Sequence, residues 1–178
     1  MNSRQDTSVE KALNILLRLS SASDGVSVSQ IASDLGYPPY TVVRLLHIMR
    51  KMGFVWQEKP RAPYKIGYRI LELAGNLLEG MELRQAARPF LHDLASKLGF
   101  VAYLKVTSGP HVVTVDVAVP PLAVAAPDEI GRRLPMHVCS PGKVILAFRG
   151  DQEVNKYIQQ VGLTPATPHT ITQTDVFL

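Results

Sequence analysis

The sequence predicts an α+β protein that begins with three helices and a β-hairpin and continues into a domain of mixed strands and helices. In the first part of the chain, apolar residues recur at helical spacing and polar capping residues separate the helices. Two short β-prone runs follow the third helix. After residue 99, β-branched runs alternate with helical segments, which indicates an α+β or α/β domain.

The composition is that of a folded protein without membrane spans or disulfides. The 178 residues are 46% hydrophobic and 19% charged, which is enough to bury a core. No apolar run approaches the roughly 20 residues of a bilayer span, and the polar start is not typical of a signal peptide. The single Cys139 excludes an internal disulfide framework. We therefore expect a cytoplasmic protein that does not associate with membranes.

Capping boxes mark the first two helices. Thr7–Glu10 has the Thr-x-x-Glu pattern and precedes a stripe of apolar residues, and Ser27–Gln30 repeats the pattern before a second stripe that stops at Gly36. A third helix is predicted to open at Pro38-Pro39 and to run to about Met52. The short turn between the second and third helices is typical of a helix-turn-helix.

A β-hairpin is predicted directly after the third helix. Phe54–Gln57 and Tyr64–Ile66 are β-prone, and the polar loop Glu58–Pro63 separates them. A hairpin in this position is the wing of a winged helix-turn-helix.

The third helix has two distinct faces. Its apolar face, which should pack on the first two helices, consists of Val42, Leu45, Leu46 and Met49. Its polar face, which we predict to contact DNA, consists of Tyr40, Thr41, Arg44, His47 and Lys51. Arg44 can bind a phosphate or pair with guanine, whereas Lys51 offers a point charge. In the wing, Lys59 and Arg61 are placed to reach the DNA backbone or the minor groove.

The charge distribution supports this interpretation. Between Tyr40 and Arg69 the chain carries seven Lys or Arg and only one acidic residue, Glu58. Such a basic cluster is expected where phosphates are neutralised, and binding should then weaken as salt rises. The alternative is a small helical core whose exposed basic residues only keep it soluble.

The remaining elements are predicted from the same signals. Two amphipathic helices should span Tyr68–Glu79 and Leu83–Leu98, closed by Gly80 and Gly99. The later segments are strands at Phe100–Val106, Val112–Val119 and Leu122–Ala126, and helices at Ser140–Phe148 and Gln152–Val161.

These residues together resemble the IclR family of bacterial transcriptional regulators. In the first half the matching motifs are Val9-Glu10-Lys11-Ala12-Leu13, Gln30-Ile31-Ala32, Leu35-Gly36, Thr41-x-x-Arg44-Leu45-Leu46, Gly53-Phe54-Val55 and Tyr64-Lys65-Ile66-Gly67. In the second half they are Leu134-Pro135-Met136-His137 and Ser140-x-Gly142-Lys143. One departure is Pro39-Tyr40, where family members usually have small polar residues.

The resemblance implies a division into a winged helix-turn-helix over 1–67, a linker helix over 68–80 and a GAF-like effector-binding domain over 81–178. It implies that Thr41 and Arg44 contact double-stranded DNA. It also implies an effector site, which we place at Leu134, Met136, His137 and Ser140. The expected partners are a small organic effector, often a carboxylic acid, and further copies of the chain in a homodimer or tetramer.

The length departs from the family, because members are noticeably longer and this chain stops at Asp175–Leu178, where a helix is starting. We therefore expect an incomplete effector-binding domain. An alternative function is then a truncated ligand-sensing or dimerising fragment without effective regulation of DNA.

Catalytic and metal-binding alternatives have weaker support. Ser140-Pro141-Gly142-Lys143 spells S-x-x-K, but the S-D-N and K-T-G elements of that chemistry do not occur, and Ser140 is better explained as a helix cap. The set that could hold zinc is His111, Asp116, His137 and Cys139, whose spacing is weak evidence. A structural histidine and a buried thiol are the favoured interpretation, so we predict no enzyme activity, cofactor or metal.

Overall fold

The structure, a computed structural model, describes residues 6–121 and 130–177. The chain divides between Gly80 and Met81 into two units, which we call the N-terminal and C-terminal units. The predicted strand at Leu122–Ala126 lies outside the described residues. Within the described ranges, no helix is both long and apolar enough to cross a membrane.

Both predicted capping boxes are present. Helix α1 spans Ser8–Ser20, and the Glu10 amide donates to Thr7 Oγ1 at 3.3 Å while the Thr7 amide donates to Glu10 Oε2 at 2.7 Å. Helix α2 spans Val28–Leu35, with reciprocal bonds between Ser27 and Gln30. It ends at Gly36, whose φ of 64° is the left-handed conformation that glycine adopts without strain.

Helix α3 spans Pro39–Lys51 and supplies the centre of the N-terminal core. Its four predicted core residues are all buried, and Val42 and Leu46 have no exposed surface. They pack among residues of α1, α2 and the hairpin, chiefly Ile15, Leu19, Ile31 and Val55. Burying each such side chain contributes about 1.5–3 kcal/mol to the free energy of unfolding. The helix-turn-helix core is therefore the predicted one.

The hairpin consists of β1, Val55–Gln57, and β2, Tyr64–Ile66, which pair antiparallel. A short bridge joins it to the segment before α2. The Val26 and Tyr64 amides each donate to the other residue's carbonyl at 2.9 Å. The wing is therefore attached to the helices by backbone bonds as well as by apolar packing. Helix α4, Arg69–Glu79, follows it.

The C-terminal unit is a three-stranded antiparallel sheet with helices. Its strands have the order β3-β4-β5, at Ala102–Ser108, His111–Ala118 and Arg133–Pro135. Its helices are α5 at Glu82–Leu98, a 3₁₀ turn at Met136–Val138, α6 at Ser140–Ala147, α7 at Asp151–Val161 and α8 at Thr174–Phe177. One core lies between α5 and the sheet, and a second lies around Met136, Leu146 and Tyr157.

The structure corrects two predictions in this unit. Strand β5 was not predicted, because its three residues are too few to show the alternation that marks a strand. Ser140 is the first residue of α6 and not its cap. The cap position is Cys139, and no side-chain hydrogen bond is made there. Pro141 lies in the first turn and has no N–H, so one of the groups that a cap would serve is missing.

Replacing Gly67 by alanine tests how closely the wing and the end of α3 approach. A Cβ at Gly67 would lie 2.1 Å from the Gly53 carbonyl oxygen, which belongs to the backbone and cannot move aside easily. We expect Gly67→Ala to lower the free energy of unfolding by about 1–3 kcal/mol. Urea unfolding followed by the fluorescence of Trp56, the single tryptophan, reports on this unit.

Gly75→Ala is the matched control, since nothing lies within 4 Å of a Cβ there. This variant should unfold at an unchanged or higher urea concentration, because alanine favours a helix interior by about 0.5–1 kcal/mol. Equal stability of the two variants would contradict the close approach.

Candidate nucleic-acid interface and effector segment

The polar face of α3 is exposed because the opposite face is buried in the core. Tyr40, in the first turn, is 78% exposed, and Thr41 beside it is half-buried. Arg44, His47 and Lys51 are exposed further along. The five residues of α3 that are predicted to contact DNA thus lie on the accessible side of the helix, with the aromatic ring of Tyr40 at its N-terminal end.

Arg44 has a weak partner in the free protein. Its Nη2 donates to Ser8 Oγ at 3.4 Å, and both groups are exposed. A long bond between exposed groups contributes little, because water competes for both. The guanidinium is therefore available for a stronger, charge-assisted bond to an anionic partner.

The wing presents two further cations. Lys59 and Arg61 are exposed in the loop between β1 and β2, and the Ala62 amide donates to the Lys59 carbonyl at 3.0 Å. Arg61 has a φ of 71°, the one positive value among the non-glycine residues that the structure describes. A non-glycine residue in this conformation carries backbone strain, so surrounding bonds must hold it.

Tyr37, in the turn between α2 and α3, makes side-chain contacts that were not predicted from the sequence. Its hydroxyl donates to Asp6 Oδ2 at 2.6 Å and accepts from Asn14 Nδ2 at 2.8 Å. Burial and the bond to Asp6 raise the pKa of Tyr37. Lys11 lies 5.5 Å from the centre of its ring. These contacts attach the turn to α1. The one signal in the sequence was the presence of a tyrosine directly after Gly36, at the end of α2.

The four residues predicted to bind an effector lie in one continuous segment with different accessibility. Leu134, in β5, is half-buried, Met136 and His137 have no exposed surface, and Ser140 is exposed. Gly142 allows this segment to fold tightly, because a Cβ there would lie 2.2 Å from the Met136 carbonyl oxygen. The glycine of the S-x-x-K pattern thus has a packing role.

His137 is held by hydrogen bonds at both ring nitrogens. Nε2 lies 2.9 Å from the Thr164 carbonyl, which can only accept, so Nε2 carries the proton and donates. Nδ1 then accepts from the Tyr157 hydroxyl at 2.7 Å, and that hydroxyl accepts from the His137 amide at 3.1 Å. Every polar group of this pair is used, as expected for a buried structural histidine.

The other candidate metal ligands are engaged separately. His111 Nδ1 lies 3.1 Å from Arg133, and burial together with this cation lowers the pKa of His111. Asp116 lies 3.3 Å from Arg84. Cys139 Sγ lies 3.7 Å from the Pro135 carbonyl oxygen. Among the described residues, no three potential ligands come together around a metal position.

Comparison with protein families gives two matches that together cover most of the chain. The helix-turn-helix domain of the IclR family matches residues 8–59, and the C-terminal domain of the bacterial transcriptional regulator IclR matches residues 75–178. These matches confirm the predicted resemblance and the predicted order of a helix-turn-helix followed by the family's C-terminal domain.

Curated relatives match over nearly the whole chain. The HTH-type transcriptional regulator XynR of Escherichia coli is 28% identical over 171 residues, which are 96% of this chain and 68% of that protein. The glycerol operon regulatory protein of Streptomyces griseus is 31% identical over 174 residues, 98% of this chain and 68% of that protein. Both are named as regulators, in agreement with the prediction that the chain is not an enzyme. The chain spans 62% and 56% of two further relatives.

Solved structures show the same fold. The Thermotoga maritima IclR structure matches with a TM-score of 0.63 and 27% identity, over 95% of this chain and 68% of that one. An IclR homologue from Microbacterium hydrocarbonoxydans, complexed with 4-hydroxybenzoate, matches with a TM-score of 0.74 and 22% identity, over 96% of this chain and 70% of that one.

Tyr157→Phe tests the structural role of the His137 pair. Loss of the hydroxyl leaves His137 Nδ1 and the His137 amide without a partner in a buried site, so we expect a loss of about 1–3 kcal/mol in the free energy of unfolding. Burial raises the pKa of Tyr157, so the hydroxyl stabilises the fold fully below its unfolded pKa. That contribution should disappear as the pH rises through the folded pKa, and should be absent in the variant.

Thermal unfolding followed by far-UV circular dichroism, at neutral and alkaline pH, measures both effects. Tyr68→Phe is the control, because Tyr68 is 83% exposed. Equal stability of Tyr157→Phe and the unchanged protein would rule out this role.

Proposed function

The chain belongs to the IclR family of bacterial transcriptional regulators, and we propose on this basis that it binds duplex DNA through α3 and the wing and that a small organic effector controls this binding. The observation that carries the proposal is the coincidence of the basic cluster with the exposed face of α3. Lys59 and Arg61 extend the same charge into the wing.

Within this proposal, the position of a residue along α3 decides whether it contacts the bases or the DNA backbone. The N-terminal residues of a recognition helix reach base edges, whereas later basic residues more often meet phosphate. We assign base contacts to Tyr40, Thr41 and Arg44, and backbone contacts to His47 and Lys51. Tyr40 brings a ring and a hydroxyl, which supports contact with a sugar or a base edge.

We further propose that the effector binds the C-terminal unit at the segment Leu134–Ser140. Leu134 and Ser140 are the accessible members, and Met136 and His137 would form a buried support behind them. The 4-hydroxybenzoate bound to the Microbacterium protein favours a small carboxylic acid as the chemical class. The division into 1–67, 68–80 and 81–178, and assembly as a cytoplasmic homodimer or tetramer, complete the proposal.

Arg44→Ala tests base recognition. Because a bidentate arginine contact discriminates between bases, the substitution should weaken binding to the natural operator by about 1–3 kcal/mol and relax its sequence preference. An electrophoretic shift on the intergenic duplex upstream of the gene, with a mixed-sequence duplex as competitor, measures both.

Lys51→Ala is the comparison variant on the same helix. A phosphate contact is insensitive to sequence, so this variant should weaken binding to both duplexes equally and reduce the slope of log K against log salt by about 1. An unchanged shift by Arg44→Ala, with Lys51→Ala weakened, would overturn the assignment of Arg44.

Effector binding is tested by thermal unfolding with a panel of small carboxylic acids that includes 4-hydroxybenzoate. A ligand at about 100 times its Kd should stabilise the protein by about 2.7 kcal/mol and alter the electrophoretic shift. Stabilisation without any DNA shift by the unliganded protein would favour a ligand-sensing or dimerising fragment over a regulator.

A further inference from the structure

Gln57, the last residue of β1, connects the wing loop to the rest of the N-terminal unit through its side chain. Its Nε2 donates to the Ala62 carbonyl at 2.7 Å, across the base of the loop. Its Oε1 also accepts from Arg50 Nη1 in the last turn of α3, but this bond is exposed and 3.4 Å long, so it is the weaker of the two. One amide thus contacts both the recognition helix and the loop.

Backbone bonds constrain the loop through the pairing of Gln57 with Tyr64 and the bond from the Ala62 amide to the Lys59 carbonyl, but packing is missing on one side of it. A crevice of about 390 Å³ separates it from the starts of α2 and α3, with Gln57 and Ala62 in its wall. Because the loop lies beside open space, apolar packing on that side cannot hold it. Arg61 next to Ala62 is in the left-handed conformation, which persists only where neighbouring bonds hold it.

The chemistry of glutamine suits this double contact. A carboxamide donates from nitrogen and accepts at oxygen, so it can serve the Ala62 carbonyl and the Arg50 guanidinium together. The half-buried setting of Gln57 makes the bond to Ala62 less open to competition from water. Lys59 and Arg61 lie within the loop that this bond closes.

We propose that Gln57 is a positioning residue for DNA binding. It holds Lys59 and Arg61 in the position from which they contact the DNA phosphates on either side of α3. The inference rests on the proposed function, since it needs the wing to contact DNA. Gln57 itself need not touch DNA in this arrangement.

The test is Gln57→Met in the full chain, which keeps the length of the side chain and removes both hydrogen bonds. The probe is a labelled mixed-sequence DNA duplex, and the readout is the slope of log K against log salt. If the wing contributes two phosphate contacts, their loss reduces the slope by about 1.8. Between 50 and 200 mM salt, the affinity of the variant should therefore fall by a factor about tenfold smaller than that of the unchanged protein. A purely structural role would lower stability and leave the slope unchanged.

Gln159→Met is the matched control, because Gln159 is exposed on α7 in the C-terminal unit. It should bind with the slope of the unchanged protein. Urea unfolding followed by Trp56 fluorescence shows whether the N-terminal unit of each variant is folded in the urea-free buffer of the binding assay. If Gln57→Met does not fold, Gln57→Ala replaces it, since alanine makes neither hydrogen bond and leaves the charge of the wing unchanged.

A double-mutant cycle with Lys59→Ala/Arg61→Ala completes the experiment. If Gln57 acts through these two cations, Gln57→Met should add no further change in slope once both are removed. An unchanged slope for the single variant, or a full additional effect in the triple variant, would overturn the inference. Failure of the unchanged protein to bind the duplex at low salt would instead contradict the proposed function.

Discussion

The burial of one face of α3 is the interaction on which the rest of the N-terminal unit depends. Val42, Leu45, Leu46 and Met49 enter a core formed with α1, α2 and β1. Since residues on a helix keep a fixed angular relation, burying this face determines which side chains face outward. Tyr40, Arg44, His47 and Lys51 are exposed as a consequence. Packing energy thus orients a surface whose own residues contribute little to stability.

Polar contacts fix the positions of turns and of the hairpin, which apolar packing leaves undetermined. The turn before α3 is attached through Tyr37 and Asp6, and the hairpin through the backbone bridge between Val26 and Tyr64. In the C-terminal unit, the pair of His137 and Tyr157 joins the 3₁₀ turn to α7 by bonds that leave no ring nitrogen unused. Each contact is specific because a buried polar group without its partner is costly.

The success of the sequence predictions follows from how local each signal is. Capping boxes at Thr7 and Ser27 involve residues three positions apart, so they could be identified directly, and both are present. Strand β5 was not predicted, because a strand of three residues is defined by its pairing with β4, which is distant in the sequence. The helix at Ser140 was predicted, but Ser140 is its first residue and not its cap. The residues of the proposed DNA and effector sites were placed on their elements by sequence, while their roles stay predictions.

By itself the sequence determined the family, the helix-turn-helix with its wing, and the basic face of α3, because periodicity, caps and charge are properties of neighbouring residues. The tertiary structure decided which groups are free to act. His137 and Met136 belong to one motif with Leu134 and Ser140, yet only the fold buries the first two and leaves Ser140 exposed. The double contact of Gln57 was equally invisible, since hydrogen bonds across a loop depend on distances that no sequence spacing encodes.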